Sequence, residues 1–87
     1  MQECCIREGV LYRDHNKRYC LHEPGIPVCQ TLTCTSGCPI EVWLNHSWIA
    51  GHVESDGEDY WLFANKGGKF LLVEDMKARY IEDRSLQ

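Results

Sequence analysis

The chain has 87 residues, which is enough for one small domain and excludes a multidomain protein. Its hydrophobic content of 44% and charged content of 25% are those of a folded globular protein and exclude a disordered chain. The net charge of −4 and the scattered lysines and arginines disfavour nucleic acid as a partner, because a phosphate backbone is bound by clustered cations.

Targeting signals are not evident in the sequence. No apolar run approaches the roughly 18 residues that a membrane-spanning helix needs, and the segment Met1–Glu8 is too polar for a signal peptide. We therefore expect a cytoplasmic protein with no membrane partner, in which most cysteines are reduced.

Glycines, prolines and turn-forming pairs divide the chain into short segments rich in β-branched and aromatic residues. This pattern predicts an all-β domain, a small barrel or antiparallel meander, over residues 1–87. The predicted strands are Gly9–Arg13, Arg18–His22, Val28–Leu32, Ile40–Leu44, Trp48–Ser55, Asp59–Ala64, Lys69–Val73 and Lys77–Ile81. Residues 20–39 are expected to contain a long loop or insertion, and one short helical turn is expected near Glu74–Met76.

Two tight turns predict how three central strands pair. Asn45-His46 is a two-residue turn that places Trp43 opposite Trp48, because Asn tolerates a positive φ. Asp56-Gly57 is typical of a type I′ turn. Centred there, it places Val53 opposite Tyr60 and His52 opposite Trp61.

Side chains alternate between the two faces of a strand, so this pairing separates two sets of residues. The core face carries Ile40, Val42, Leu44, Ile49, Gly51, Val53, Tyr60, Leu62 and Ala64. The opposite face, called the aromatic face below, carries Glu41, Trp43, Trp48, Ala50, His52, Glu54, Asp59, Trp61 and Phe63.

Two interpretations of the aromatic face are open. In one, residues 1–30 fold back over it and the tryptophans form a second layer of core. In the other it stays partly exposed and binds a protein or peptide, since tryptophan is enriched at interface hot spots. The binding residues would then be Trp43, Trp48, His52, Trp61 and Phe63, with Glu41, Glu54 and Asp59 as an acidic rim.

The cysteines include candidate ligands for a metal ion. Cys20, His22, Cys29, Cys34 and Cys38 provide enough ligands for one structural zinc ion, although their spacing lacks a Cys-x2-Cys pair. Two alternatives are reduced thiols, some of them buried, and a disulfide from Cys29 or Cys34 to Cys38.

No set of residues in the sequence predicts a reaction. His15 and His46 fall in predicted turns, and His52 is expected to pack on Trp61 rather than to activate a cysteine. Gly67-Gly68 is not followed by a helix and so does not form a phosphate-binding loop. We therefore do not predict an enzyme.

Several short motifs together resemble SH3-like barrels, and more closely a family of short uncharacterised bacterial proteins carried on integrative elements and prophages. The motifs are Gly9-Val10-Leu11-Tyr12, Arg18-Tyr19-Cys20-Leu21, Gly37-Cys38-Pro39-Ile40-Glu41-Val42, Trp48 to Glu54 and Tyr60-Trp61-Leu62. The Glu23–Thr35 stretch is longer than in the family pattern, and the last strand matches only loosely. The resemblance implies an SH3-like fold and a mobile-element or phage origin, and it assigns no activity.

Taken together, the sequence predicts a protein- or peptide-binding module, which on a mobile element would be an inhibitor that occludes a host protein. The alternatives are a zinc-stabilised structural or regulatory module and a small-barrel nucleic-acid binder whose aromatic side chains stack on bases.

Overall fold

A computed structural model of the chain describes residues 4–26 and 32–83. These residues form β-strands and turns and no helix, so they contain no helix that could cross a membrane. The strands are β1 (Cys4–Arg13), β2 (Tyr19–His22), β3 (Leu32–Cys34), β4 (Pro39–Leu44), β5 (Ser47–Ser55), β6 (Tyr60–Ala64), β7 (Lys69–Leu71) and β8 (Lys77–Asp83). The prediction of an all-β domain is confirmed.

All eight strands belong to one antiparallel sheet in the order β3-β2-β1-β8-β4-β5-β6-β7. The last strand of the chain lies in the middle, where it pairs with β1 over seven residues and with β4 at Glu41–Arg79 and Val42–Ala78. β8 therefore connects the N-terminal strands to the central hairpins.

The sheet curls around a single core. Leu11 from β1, Leu21 from β2, Val42 from β4, Val53 from β5 and Leu62 from β6 are fully buried in one cluster. Strands this far apart in the sheet order can share a core only if the sheet bends. The Tyr19 hydroxyl closes the curl by donating a hydrogen bond of 3.0 Å to the Leu72 carbonyl.

The first predicted turn is confirmed. Asn45 and His46 have φ values of 51° and 64°, the two positive values that define a type I′ turn. Trp43 pairs with Trp48 and Val42 with Ile49, as expected.

The second hairpin is shifted relative to its prediction. Val53 pairs with Leu62 and His52 with Phe63, so the central residues of the turn are Gly57 and Glu58 rather than Asp56 and Gly57. Asp56 precedes the turn because its carboxylate accepts hydrogen bonds from the backbone N–H groups of Glu58 and Asp59. Moving the turn by one residue shifts the strand register by two residues, and this leaves every side chain on its predicted face.

The predicted helical turn before the last strand is wrong. Residues Glu74 and Asp75 form a hydrogen-bonded turn in which Asp75 has a φ of 70°. A residue in this left-handed region ends right-handed helical geometry.

The predicted long loop at residues 20–39 is only partly a loop. β2 continues to His22, and β3 pairs with it at Leu21–Leu32, Cys20–Thr33 and Tyr19–Cys34. Of the predicted strand Val28–Leu32, all but Leu32 lies outside the described residues.

A tight turn connects β3 to β4. The Cys38 N–H donates to the Thr35 carbonyl, and Gly37 has the positive φ of 88° that the third residue of a type II turn requires. Gly37 and Cys38 both hydrogen-bond to Val53, which is the arrangement of a β-bulge. The turn is therefore attached to β5.

Candidate functional site

The aromatic face begins with a tryptophan pair at the closed end of the β4–β5 hairpin. The rings of Trp43 and Trp48 contact edge to face, with their centroids 5.3 Å apart. Trp43 remains 38% exposed, whereas Trp48 is half-buried. The type I′ turn brings these two side chains together because it makes their positions directly opposite.

A second aromatic group lies further along the same face. The His52 and Phe63 rings stack with their centroids 5.8 Å apart, and Phe63 is 39% exposed. His52 was expected to face Trp61. Because of the shifted turn, Trp61 pairs with Glu54 instead and donates a 2.8 Å hydrogen bond from Nε1 to Asp56 Oδ2.

Three cations that the sequence reasoning did not assign to the site lie against its rings. The Arg79 guanidinium carbon is 4.1 Å from the centre of a Trp48 ring, and the Lys69 ammonium is 4.6 Å from the centre of a Trp61 ring. Lys77 lies 5.8 Å from Trp43 and 5.7 Å from Trp48. The alternation of Lys77 and Arg79 along β8 was visible in the sequence. The pairing of β8 with β4, which brings them to the tryptophans, is non-local and was not visible there.

The acidic rim is not a free anionic edge. Glu41 Oε1 lies 2.6 Å from Arg79, and both side chains are mostly buried. Glu54 lies 3.3 Å from His52 Nε2. Asp59, the third residue of the predicted rim, is exposed beside the turn. The face therefore mixes aromatic rings with cations and partly compensated carboxylates.

Ala50 creates a depression between the two aromatic groups. Its small side chain lies between Glu41 and Asn65, and a cavity of about 210 Å³ opens there. A second, wider one extends along Trp48 and Lys66 and shares Ala50 and Asn65 with the first. The lining residues that the sequence reasoning missed are Pro39, Ser47, Asn65, Lys66, Arg79 and Ile81.

The described part of residues 1–30 does not fold back over the aromatic face. Residues 4–26 contain β1 and β2, which extend the sheet side by side with β8. The remaining exposure of Trp43 and Phe63 agrees with this arrangement.

The predicted zinc ligands do not converge among the described residues. Cys20 and His22 lie on the side of β2 opposite to Cys34, because Cys34 pairs with core-facing Tyr19. No group of three or more potential ligands occurs in residues 4–26 and 32–83, and Cys29 lies outside them. Cys20, Cys34 and Cys38 are free thiols.

Sequence comparison matches most of the chain to one family. The model for a domain of unknown function, DUF5348, matches residues 9–80. No curated protein and no solved structure matches the sequence. The match covers β2 to β7 completely, half of β1 and four of the seven residues of β8.

Proposed function

Since this chain belongs to the DUF5348 family of domains of unknown function, we propose a function from its own surface: it is a non-enzymatic module that binds a protein or peptide through the aromatic face. The observation that carries the proposal is the exposure of Trp43 and Phe63 on either side of the Ala50 depression. Large exposed aromatic side chains next to a concave floor are the usual anchors of protein interfaces.

The face is organised before any partner arrives. Arg79 and Lys69 hold Trp48 and Trp61, and Asp56 holds the Trp61 indole N–H. Side chains fixed in this way lose little conformational entropy on binding, so more of the contact energy contributes to affinity. The partner that fits is a segment with an apolar side chain for the Ala50 depression and flat contacts for Trp43 and Phe63.

Nucleic acid fits this face less well than a peptide. Three cations lie among the rings, as in single-strand binders. However, Arg79 and Lys69 occupy ring faces of Trp48 and Trp61 on which bases would stack. The compensation of Arg79 by Glu41 further reduces the positive charge available to phosphates.

The test is a selection of peptides from a random displayed library on the immobilised chain, followed by affinity measurement with labelled peptides. We expect Trp43→Ala and Phe63→Ala each to weaken binding by about 30-fold, which corresponds to the smallest loss that defines a hot spot. Val73→Ala is the matched control, because Val73 is an exposed apolar residue, at 47%, that lies outside the aromatic face.

Two results would contradict the proposal. One is a library that yields no peptide above background, and the other is a set of peptides that bind the Trp43→Ala and Phe63→Ala variants as tightly as the original chain. Titration with a labelled single-stranded oligonucleotide in the same assay distinguishes the nucleic-acid alternative, whose affinity would fall steeply with added salt.

The family resemblance of the motifs supports a more specific version of the proposal. In it, the fold is an SH3-like barrel, the origin is a mobile element or phage, and the chain inhibits a host protein by occluding one of its surfaces. The curled sheet of short antiparallel strands is compatible with an SH3-like architecture.

A further inference from the structure

Two cysteines meet at the turn between β3 and β4, on the core side of the sheet. Cys34 ends β3 and is fully buried, and Cys38 is half-buried and packs against the same core. The hydrogen bond of 2.9 Å from Cys38 N–H to the Thr35 carbonyl closes the turn between them.

The contact makes the two thiols chemically unequal. A hydrogen bond with the Cys34 thiol lowers the pKa of Cys38 against the opposing effect of its burial. The same hydrogen bond, with burial, raises the pKa of Cys34. Cys38 is therefore the sulfur that ionises first and the one that solvent can reach, which are the two properties of an attacking thiol.

We propose that Cys34 and Cys38 form a reversible disulfide by exchange with a low-molecular-weight disulfide such as oxidised glutathione. The Cys38 thiolate attacks one sulfur of the oxidised glutathione, and the first glutathione leaves as a thiolate. The Cys34 thiolate then attacks the Cys38 sulfur and releases the second glutathione. Both cysteine sulfurs are oxidised, one disulfide is reduced to two glutathione thiols, and those thiols take up the two protons from the protein.

The structure distinguishes this pair from Cys20. Cys20 lies on the opposite side of the sheet, where its sulfur is 3.7 Å from Asp14 Oδ2 and 3.9 Å from Thr33 Oγ1. Burial is the main cause of the raised pKa of Cys20, and nearby Asp14 adds to it. Cys20 is therefore a poor attacking thiol.

The disulfide would act on the edge of the sheet and not on the aromatic face. It would tie the end of β3 to the bulge through which Gly37 and Cys38 hydrogen-bond to Val53. The inference therefore does not depend on the proposed function, and either can fail alone.

The test treats the reduced chain with excess oxidised glutathione near neutral pH, quenches with acid, and maps the modified cysteines by mass spectrometry. The wild type should lose two hydrogen atoms at Cys34 and Cys38 and retain no glutathione there. Cys29→Ser and Cys20→Ala should give the same disulfide. Cys34→Ala should keep one glutathione on Cys38, and Cys38→Ala should leave Cys34 unmodified because it is buried.

Circular dichroism checks that each variant is folded. If Cys34→Ala does not fold, Cys38→Ala still tests the order of attack. A disulfide that includes Cys29, or a wild-type chain in which glutathione persists on Cys38, would overturn the proposal. So would wild-type protein whose Cys34 and Cys38 both remain thiols while the glutathione disulfide modifies other cysteines.

Discussion

A single carboxylate connects the second hairpin to the aromatic face. Asp56 accepts hydrogen bonds from Asp59 N–H at 2.7 Å, from Trp61 Nε1 at 2.8 Å and from Glu58 N–H at 2.9 Å. The bond from Asp59, with those from Trp61 and Glu58, lowers the pKa of Asp56 from 3.8 to about 2. One residue thus determines both where the chain turns and how the Trp61 ring is oriented.

Asp56→Asn should destabilise the chain at neutral pH, and the difference from wild type should disappear in acid. The folded-state pKa of Asp56 lies below its ordinary value, so the charged form stabilises the fold above about pH 4 and is lost as the pH falls toward about 2. Urea unfolding at a series of pH values measures this. Asp59→Asn is the control, because it removes a charge nearby and none of the three bonds. A difference that stays constant down to about pH 2 would contradict the assignment.

At the level of elements, the β4–β5 hairpin depends on a strained turn. Both Asn45 and His46 adopt left-handed backbone conformations, which glycine adopts at no steric cost and other residues adopt at some cost. The turn places Trp43 against Trp48, so the conformation at His46 is tied to the geometry of the aromatic face.

His46→Gly should therefore stabilise the chain by about 0.5–1 kcal/mol, after the greater flexibility of glycine in the unfolded chain is subtracted. Denaturant unfolding at constant pH gives the value. His15→Gly is the matched control, since His15 is also exposed in a turn but has a negative φ, and this change should destabilise. If the two substitutions have the same effect, the strain at His46 is not the cause.

At the level of the whole molecule, β8 holds the two parts of the sheet together. Its ladder with β4 has only two residue pairs, and Arg79 strengthens it by bonding to Glu41 and covering Trp48. Ala78, fully buried in the same ladder, belongs to the common core. The cation that covers Trp48 is therefore in place only when β8 has paired with β4.

A double-mutant cycle with Arg79→Met and Glu41→Gln should give a coupling free energy of about 1 kcal/mol or more, because the pair is largely shielded from water. The corresponding cycle on Lys77 and Glu8, which are 3.5 Å apart and about half exposed, should give less than about 0.5 kcal/mol. Urea unfolding of each variant supplies the values. Equal coupling in the two cycles would show that Arg79 and Glu41 have no special part in joining the strands.

Local physics determined much of this protein from sequence alone. Alternation of side chains separated Val42, Val53 and Leu62 from Trp43 and Phe63, because it depends only on the two-residue period of a strand. The Asn45-His46 turn and its register were also predictable, because the two residues of the turn determine its backbone conformation and therefore which residues pair.

The position of the second turn required coordinates, because the Asp56 carboxylate replaces backbone hydrogen bonds and moves the reversal along the chain. The β8 cations over the Trp43–Trp48 pair and the Ala50 depression also appeared only in the folded chain. Each depends on which distant strands become neighbours. That choice is made by the burial of a shared core when the sheet curls, and no local pattern of residues specifies it.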